Sequence, residues 1–420
     1  MKELHPAARQ DNGWAPLAIT LAIQAMVAMA LLALPAIAPR VAEAVGSSAT
    51  YIGLYVALAY VASILASLGS GTAVGRWGAI RVSQAGLLFC AVGLALCAVP
   101  SLWAIAIGAV LVGFGYGPMT PASSHLLART TPAHRMALVF SIKQTGVPLG
   151  GALAGAIVPP LQLLVGWQHA LLAVAAACLL CAVVAQALRA EFDADRDPAR
   201  PLGLGNLLEP MRLVLAVPAL RLLAGCSFVF SVAQLSLTTY VVTFLTGELA
   251  YGLVAAGAVL AISQVGGVFG RVWWGYASDR WLGATRMLAF LGSVMTVSAL
   301  ATAFLQPGAP HLLVLVVLFV FGASAIGWNG VYLSEVARQA PAGRAGIATA
   351  GTLAITFLGN VLGPPLFGGI SGAFDSYRAA FIALAVPLAV CAAVLWRNAR
   401  RAALAPQPVT APPDPARTRR

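Results

Sequence analysis

Two cations sit deep inside apolar stretches of this chain: Lys143 in FSIKQTGVPLGG and Arg271 in GGVFGRVWWGYA. Lys143 lies eight residues beyond Arg135, and Arg271 lies eight before Asp279. At about 1.5 Å per helical residue, each is ~12 Å in from the nearest polar break. A charge at the centre of a bilayer costs ~2.5–3.5 kcal/mol on insertion scales, so residues of this kind are usually functional. No Asp or Glu accompanies them in the interior of an apolar run: Glu335 ends one run, Glu248 falls in a turn and Asp375 precedes another. Two buried cations without an acid call for an anion from outside the protein. The planar fork of a guanidinium can hold a carboxylate through two parallel bonds, whereas an ammonium acts as a point charge. On this reading Arg271 is the primary anchor of an anionic substrate and Lys143 the second cation. The bland alternatives are that Arg271 bonds backbone carbonyls or pairs with Asp279, and that Lys143 snorkels to the interface.

Neutral polar residues complete the candidate site. Gln264 precedes Arg271 by seven residues and so shares its helix face. Gln24, Gln144, Gln234 with Thr238, Asn329 with Tyr332, and Asn360 are the others, although such a residue taken alone is more often an interhelical hydrogen-bonding group than a ligand. Trp328 and Tyr240 suit an apolar wall. His125 and Glu335 are the candidates for moving a proton, since no acid lies deeper.

The elements that carry these residues are set by composition. Hydrophobic residues make up 60% of the 420 and charged residues 9%, against roughly 25% charged in soluble domains. Lipid is the matching solvent. The net charge of +12 is spread singly and in pairs between apolar runs, which excludes the clustered basic surface of a nucleic-acid binder. The six cysteines all fall within apolar runs and read as small buried hydrophobes; Cys178 and Cys181 have no second pair and no nearby His for a metal. No nucleophile–base constellation points to an enzyme and no residue set to a cofactor. The glycines of GVPLGGALAG are followed by no Lys-Ser/Thr, so they are not a phosphate loop but a hinge or helix seam.

Runs long enough to cross a bilayer fall at 15–38, 50–74, 82–100, 102–126, 138–160 and 168–188, then 222–246, 252–277, 287–306, 312–336, 346–370 and 379–396. The spacing predicts an all-α membrane protein of twelve helices in two pseudo-symmetric bundles: 1–188, a cytoplasmic linker 189–221, 222–396, and a disordered cytoplasmic tail 397–420. The first run exceeds a signal-peptide core and reads as an uncleaved helix. With both termini inside, only Arg40 and Arg378 fall in external loops, as the positive-inside rule asks of a multi-pass inner-membrane protein.

The halves repeat each other. ARTTPAHRMA (128–137) returns as ARQAPAGRAG (337–346), and GTAVGRWGAIR returns as GYASDRWLGATR. At these residues the chain resembles the major facilitator superfamily over its whole length. Gly275, Asp279 and Arg280, followed by Gly283 and Arg286, resemble the superfamily's signature loop, in which the aspartate latches the bundles at one end. The first copy carries Gly75 where that aspartate stands, before Arg76, which leaves Asp279 as the better latch. Arg271 is similar in position to the carboxylate-binding arginine of the monocarboxylate and oxalate–formate branch. That branch's other marks are absent: Gly267 stands in place of an Asp, and the eleventh helix offers Thr352, Thr356 and Asn360 in place of a basic residue. The resemblance implies a monomeric alternating-access carrier of a small organic anion, by proton symport or anion exchange. Multidrug or metabolite efflux is the alternative, weakened by the missing acid.

Overall fold

The computed structural model describes residues 14–131, 136–199, 208–341 and 344–404. Arg135, part of the repeated loop pair, residues 200–207 and the tail beyond 404 lie outside them. Among the described residues every regular element is helical, and twelve helices are long and apolar enough to cross a bilayer. Lipid offers no partner for backbone groups, so each crossing must satisfy its own N–H and C=O along a helix. Spans one to six are Trp14–Ala36, Ala49–Ser67, Ala79–Cys97, Leu102–Thr130, Ile142–Val165 and Trp167–Phe192. Spans seven to twelve are Pro218–Glu248, Leu253–Leu282, Ala284–Ala303, His311–Gln339, Ile347–Phe374 and Tyr377–Arg401.

The repeat is visible in how the chain breaks. Gly78 (φ 96°) separates spans two and three, and Gly283 (φ 75°) separates eight and nine; both conformations are ones L side chains rarely adopt. Spans four and ten are each built from two helical pieces, parted at Gly117–Pro118 and at Trp328. Several ends differ from the sequence expectation. The last helix does not stop at 396 but runs to Leu404, because the Ala, Leu and Arg residues after 396 have high helix propensity. The connection between the halves contains a helix of its own, Leu208–Ala216.

Spans one to six pack on one another, as do seven to twelve, and the two groups meet along two seams: five against eight, and two against eleven. Small residues make the first seam close. A Cβ on Gly155 would stand 2.6 Å from the Gly257 carbonyl oxygen, and one on Gly257 would stand 2.5 Å from that of Gly155. The span-five glycines are therefore divided: Gly151 and Gly155 serve the seam, while Gly146 and Gly150 face Gln24 and Ala25 on span one.

The two membrane faces differ. On the side away from the inter-half connection, the far side, the Tyr240 hydroxyl shares its one proton between the carbonyls of Thr50 (2.7 Å) and Pro364 (3.0 Å), and the Thr50 hydroxyl lies 3.2 Å from that of Tyr377. Spans two, seven, eleven and twelve are thereby joined. On the linker side the ion pairs Asp195–Arg129 and Glu335–Arg338 do not join one half to the other.

Candidate functional site

Lys143 ends the short helix Met136–Gln144, after which span five resumes at Gly146. Its side chain is 1% exposed, and among the described residues nothing hydrogen-bonds its Nζ. It does not snorkel. Gly146, three residues on, sits against span one, where a Cβ would meet the Gln24 Cβ at 2.9 Å, and the helix Met136–Gln144 packs on the same span. Gln24 is also 1% exposed, and both its amide atoms lack partners among the described residues. An unpaired ammonium and an unpaired amide thus share one interface. Buried groups of this kind are rare enough to need an explanation.

Arg271 is in a different position. Its Nη1 donates to the Gln144 carbonyl at 2.6 Å, across the five–eight seam, and its Nε to the Ile326 carbonyl at 3.3 Å. The reason is local: a helix would pair the Gln144 carbonyl with the N–H four residues on, and that residue is Pro148, which has none. The proline frees an acceptor and the arginine takes it. No bond to Asp279 forms. Nη2 remains unbonded among the described residues, so the guanidinium is aimed by two carbonyls with one nitrogen to spare. Arg271 lies near enough to Lys143 to repel it, and Tyr116 is a further electrostatic neighbour of its guanidinium. Tyr116 packs edge-on against Tyr60, with ring centroids 5.9 Å apart.

The neutral candidates fall into groups. Gln234 accepts from Trp328 Nε1 (3.1 Å) and Asn329 Nδ2 (3.4 Å), and Trp328 packs against Tyr332 at 5.1 Å. Gln264 reaches the Thr238 hydroxyl at 3.4 Å and lies beside Gly151. Asn360 is buried with its Oδ1 unpaired among the described residues. Gln144 contributes its carbonyl to Arg271. Tyr240 belongs to the far-side contacts instead of a cavity wall.

The remaining candidates lie at the linker side. Gly275 precedes a π-turn at Ser278–Leu282 in which Asp279 and Arg280 are exposed, and among the described residues Asp279 has no ion pair. Arg76 stands in the last turn of the second helix. His125 is 2.7 Å from Asp195. Glu335 binds Arg338 (2.6 and 2.8 Å), Gln339 (2.9 Å) and Thr285 (2.9 Å). Both proton-carrier candidates are therefore engaged in networks at span ends. Among the described residues no group of three or more His, Cys, Asp or Glu could hold a metal ion.

The sequence reading passed over Asp193 and Asp195. The Asp193 carboxylate accepts from the N–H groups of Ile80 (2.8 Å) and Arg81 (3.0 Å), capping span three. Asp195 pairs with His125 and Arg129 at the end of span four. Asp193, just after span six, thus holds the loop in which Gly75 stands where the second copy has Asp279. The cluster DADRD was the available signal.

Comparison with known proteins agrees with this architecture. The family profile described as Major Facilitator Superfamily matches residues 17–355. Monocarboxylate transporter 11 of Mus musculus is 27% identical over 398 residues, covering 90% of this chain and 86% of its own. A gentisate transporter of Corynebacterium glutamicum is 22% identical over 364 residues, covering 82% and 78%. Among solved structures, a bacterial homolog of the human lysosomal transporter Spinster, inward-facing and occupied, superposes with a TM-score of 0.73. It shares 19% identity and covers 94% of this chain and 98% of its own.

Proposed function

Because the chain belongs to the major facilitator superfamily, we propose that this multi-pass membrane transporter carries a small organic anion, a carboxylate, by alternating access. One observation carries the reading: the Lys143 side chain is buried in span five, its Nζ unpartnered among the described residues, within electrostatic reach of a second cation, Arg271. Burying an unpaired charge costs several kcal/mol, and an anion supplied from outside removes that cost. In this reading Lys143 provides the charge that the substrate neutralises. Arg271, fixed by Gln144 and Ile326, offers Nη2 as an aimed second contact. The order of the two cations is thus reversed from the sequence expectation. Gln24, Gln264 and Asn360 supply neutral contacts. The names of the monocarboxylate and gentisate relatives support a carboxylate.

Residues 1–188 and 222–396 act as the bodies that rock about the seams, with 189–221 as their tether and the whole working as a monomer. The arginine bias supports a linker side and both termini in the cytoplasm of an inner membrane. The far-side contacts of Tyr240 then close the external face, and Asp279, without an ion pair among the described residues, latches the opposite face when that one closes. Asp279→Asn should slow cycling and leave substrate binding intact; unchanged turnover would remove the latch. Coupling is by proton symport or anion exchange.

The reading is tested by thermal shift of the purified protein against lactate, benzoate, gentisate, glucuronate and a set of cationic drugs. Stabilisation by a carboxylate is expected. Stabilisation by cations alone would favour efflux of cationic compounds and end the anion proposal.

A further inference from the structure

The end of span twelve carries a feature that transport does not use. Ala393, Trp396, Arg397, Arg400 and Arg401 line a groove of about 470 Å³. Positions 397, 400 and 401 stand three and four residues apart, so their side chains share one helix face. Like charges so placed repel one another, and among the described residues none of the three has an ion-pair partner. Four other arginines at this side do have one, Arg129 with Asp195, Arg189 with Asp193, Arg338 with Glu335 and Arg344 with Glu209, whereas Arg81, Arg212, Arg280 and Arg286 also have none among the described residues but do not share the groove with an aromatic wall. Trp396 forms a fixed wall, its Nε1 donating to the Ser293 hydroxyl of span nine at 3.2 Å.

Depth decides what the groove meets. Nineteen residues separate Tyr377 from Trp396, about 29 Å of helix, which is roughly the thickness of the hydrocarbon core. Trp396 therefore stands at the edge of the acyl region, and the arginines stand among the headgroups. Along the groove the lining passes from Ala393 and Trp396 to three guanidiniums over eight residues, about 12 Å. One end suits the first methylenes of an acyl chain, and the other suits a phosphodiester, which guanidiniums bind through paired hydrogen bonds. A free phosphate would use only the second.

We propose that this groove binds the headgroup of an anionic glycerophospholipid in the leaflet that meets the linker side. The site lies away from Lys143 and does not depend on what is transported. The test is lipid retention by the full-length protein, purified in neutral detergent and measured by native mass spectrometry with equal amounts of phosphatidylglycerol and phosphatidylcholine. Phosphatidylglycerol should be retained selectively. Each arginine near a membrane surface is worth roughly five-fold, so Arg400→Gln should weaken retention about five-fold. The combined Arg397→Gln, Arg400→Gln, Arg401→Gln variant should weaken it on the order of a hundred-fold. Removing equal charge at Arg212, Arg280 and Arg286 should leave retention unchanged. Equal retention of the two lipids, wild-type retention in the Arg400 variant, or equal loss in the control variant would overturn the proposal. Displacement of the lipid by millimolar inorganic phosphate would also overturn it, assigning the groove to a free anion.

Discussion

Replacing Lys143 with methionine should make the ligand-free protein more stable and, at the same time, impair its hold on a carboxylate. The wild-type ammonium is 1% exposed, bonded to nothing among the described residues and repelled by Arg271. Exchanging buried ion pairs for apolar residues of similar volume often stabilises by ~1–4 kcal/mol. A lone cation beside another cation has at least as much desolvation cost to shed, so a gain of ~1 kcal/mol or more is expected. Methionine is unbranched and of similar length, so it can fill the space without strain. Binding loses one charge-assisted hydrogen bond, ~1.5–3 kcal/mol, which corresponds to roughly 10- to 150-fold weaker affinity. The two effects have opposite signs, and general misfolding cannot produce that pair. Unfolding midpoints of detergent-purified protein give the first effect. Calorimetric titration with the tightest binder among lactate, benzoate, gentisate and glucuronate gives the second. A variant less stable than wild type, with unchanged affinity, would refute the reasoning and make Lys143 a packing residue.

Arg271→Gln should show the reverse pattern, because it breaks the bonds to Gln144 and Ile326 and strands a carbonyl that Pro148 cannot satisfy. A stability loss of ~1–3 kcal/mol is expected, with affinity reduced less than in Lys143→Met; the same two measurements decide. Tyr240→Phe removes the hydroxyl that joins Thr50 to Pro364, worth ~0.5–1.5 kcal/mol for one proton shared between two carbonyls. It should shift the population toward far-side-open, read as increased labelling of a cysteine introduced at Thr50. Unchanged labelling would show that Tyr240 is not a gate. At Asp195, burial alone would raise the carboxyl pKa, but the hydrogen bond with His125 and the charges of Arg129 and His125 outweigh it and hold the group below its ordinary 3.8. A lowered folded value means that the stability it contributes is present above the ordinary carboxylate pKa and is lost as pH falls through the folded one. Thermal midpoints of Asp195→Asn should therefore fall less steeply than wild type as the medium is acidified below about pH 4; parallel curves would exclude that linkage.

The spans were legible in the sequence because lipid permits one solution, long apolar helices, and the glycine echo at 78 and 283 reappears as paired breaks of positive φ. Their ends were less so. Continuation of the last helix to Leu404 depends on helix propensity beyond the membrane, which a hydropathy reading does not weigh. Both buried cations were visible as charges in apolar runs, but their roles were not. Arg271 is satisfied by main-chain carbonyls on two other spans, and main-chain acceptors carry no residue code. The spacing of Gln144 and Pro148 was the one local sign of a freed carbonyl. Asp193 caps span three from more than a hundred residues away, and only the folded chain brings that acid to the loop where Gly75 stands.

The most direct test of carboxylate carriage through the Lys143 site is counterflow in proteoliposomes. Vesicles containing purified wild-type protein and loaded with an unlabelled carboxylate from the binding panel should transiently accumulate the labelled one above its external concentration. Vesicles with Lys143→Met should stay at the protein-free background. Accumulation at wild-type rate in the Lys143 variant, or wild-type vesicles that pass cationic drugs and no carboxylate, would contradict it.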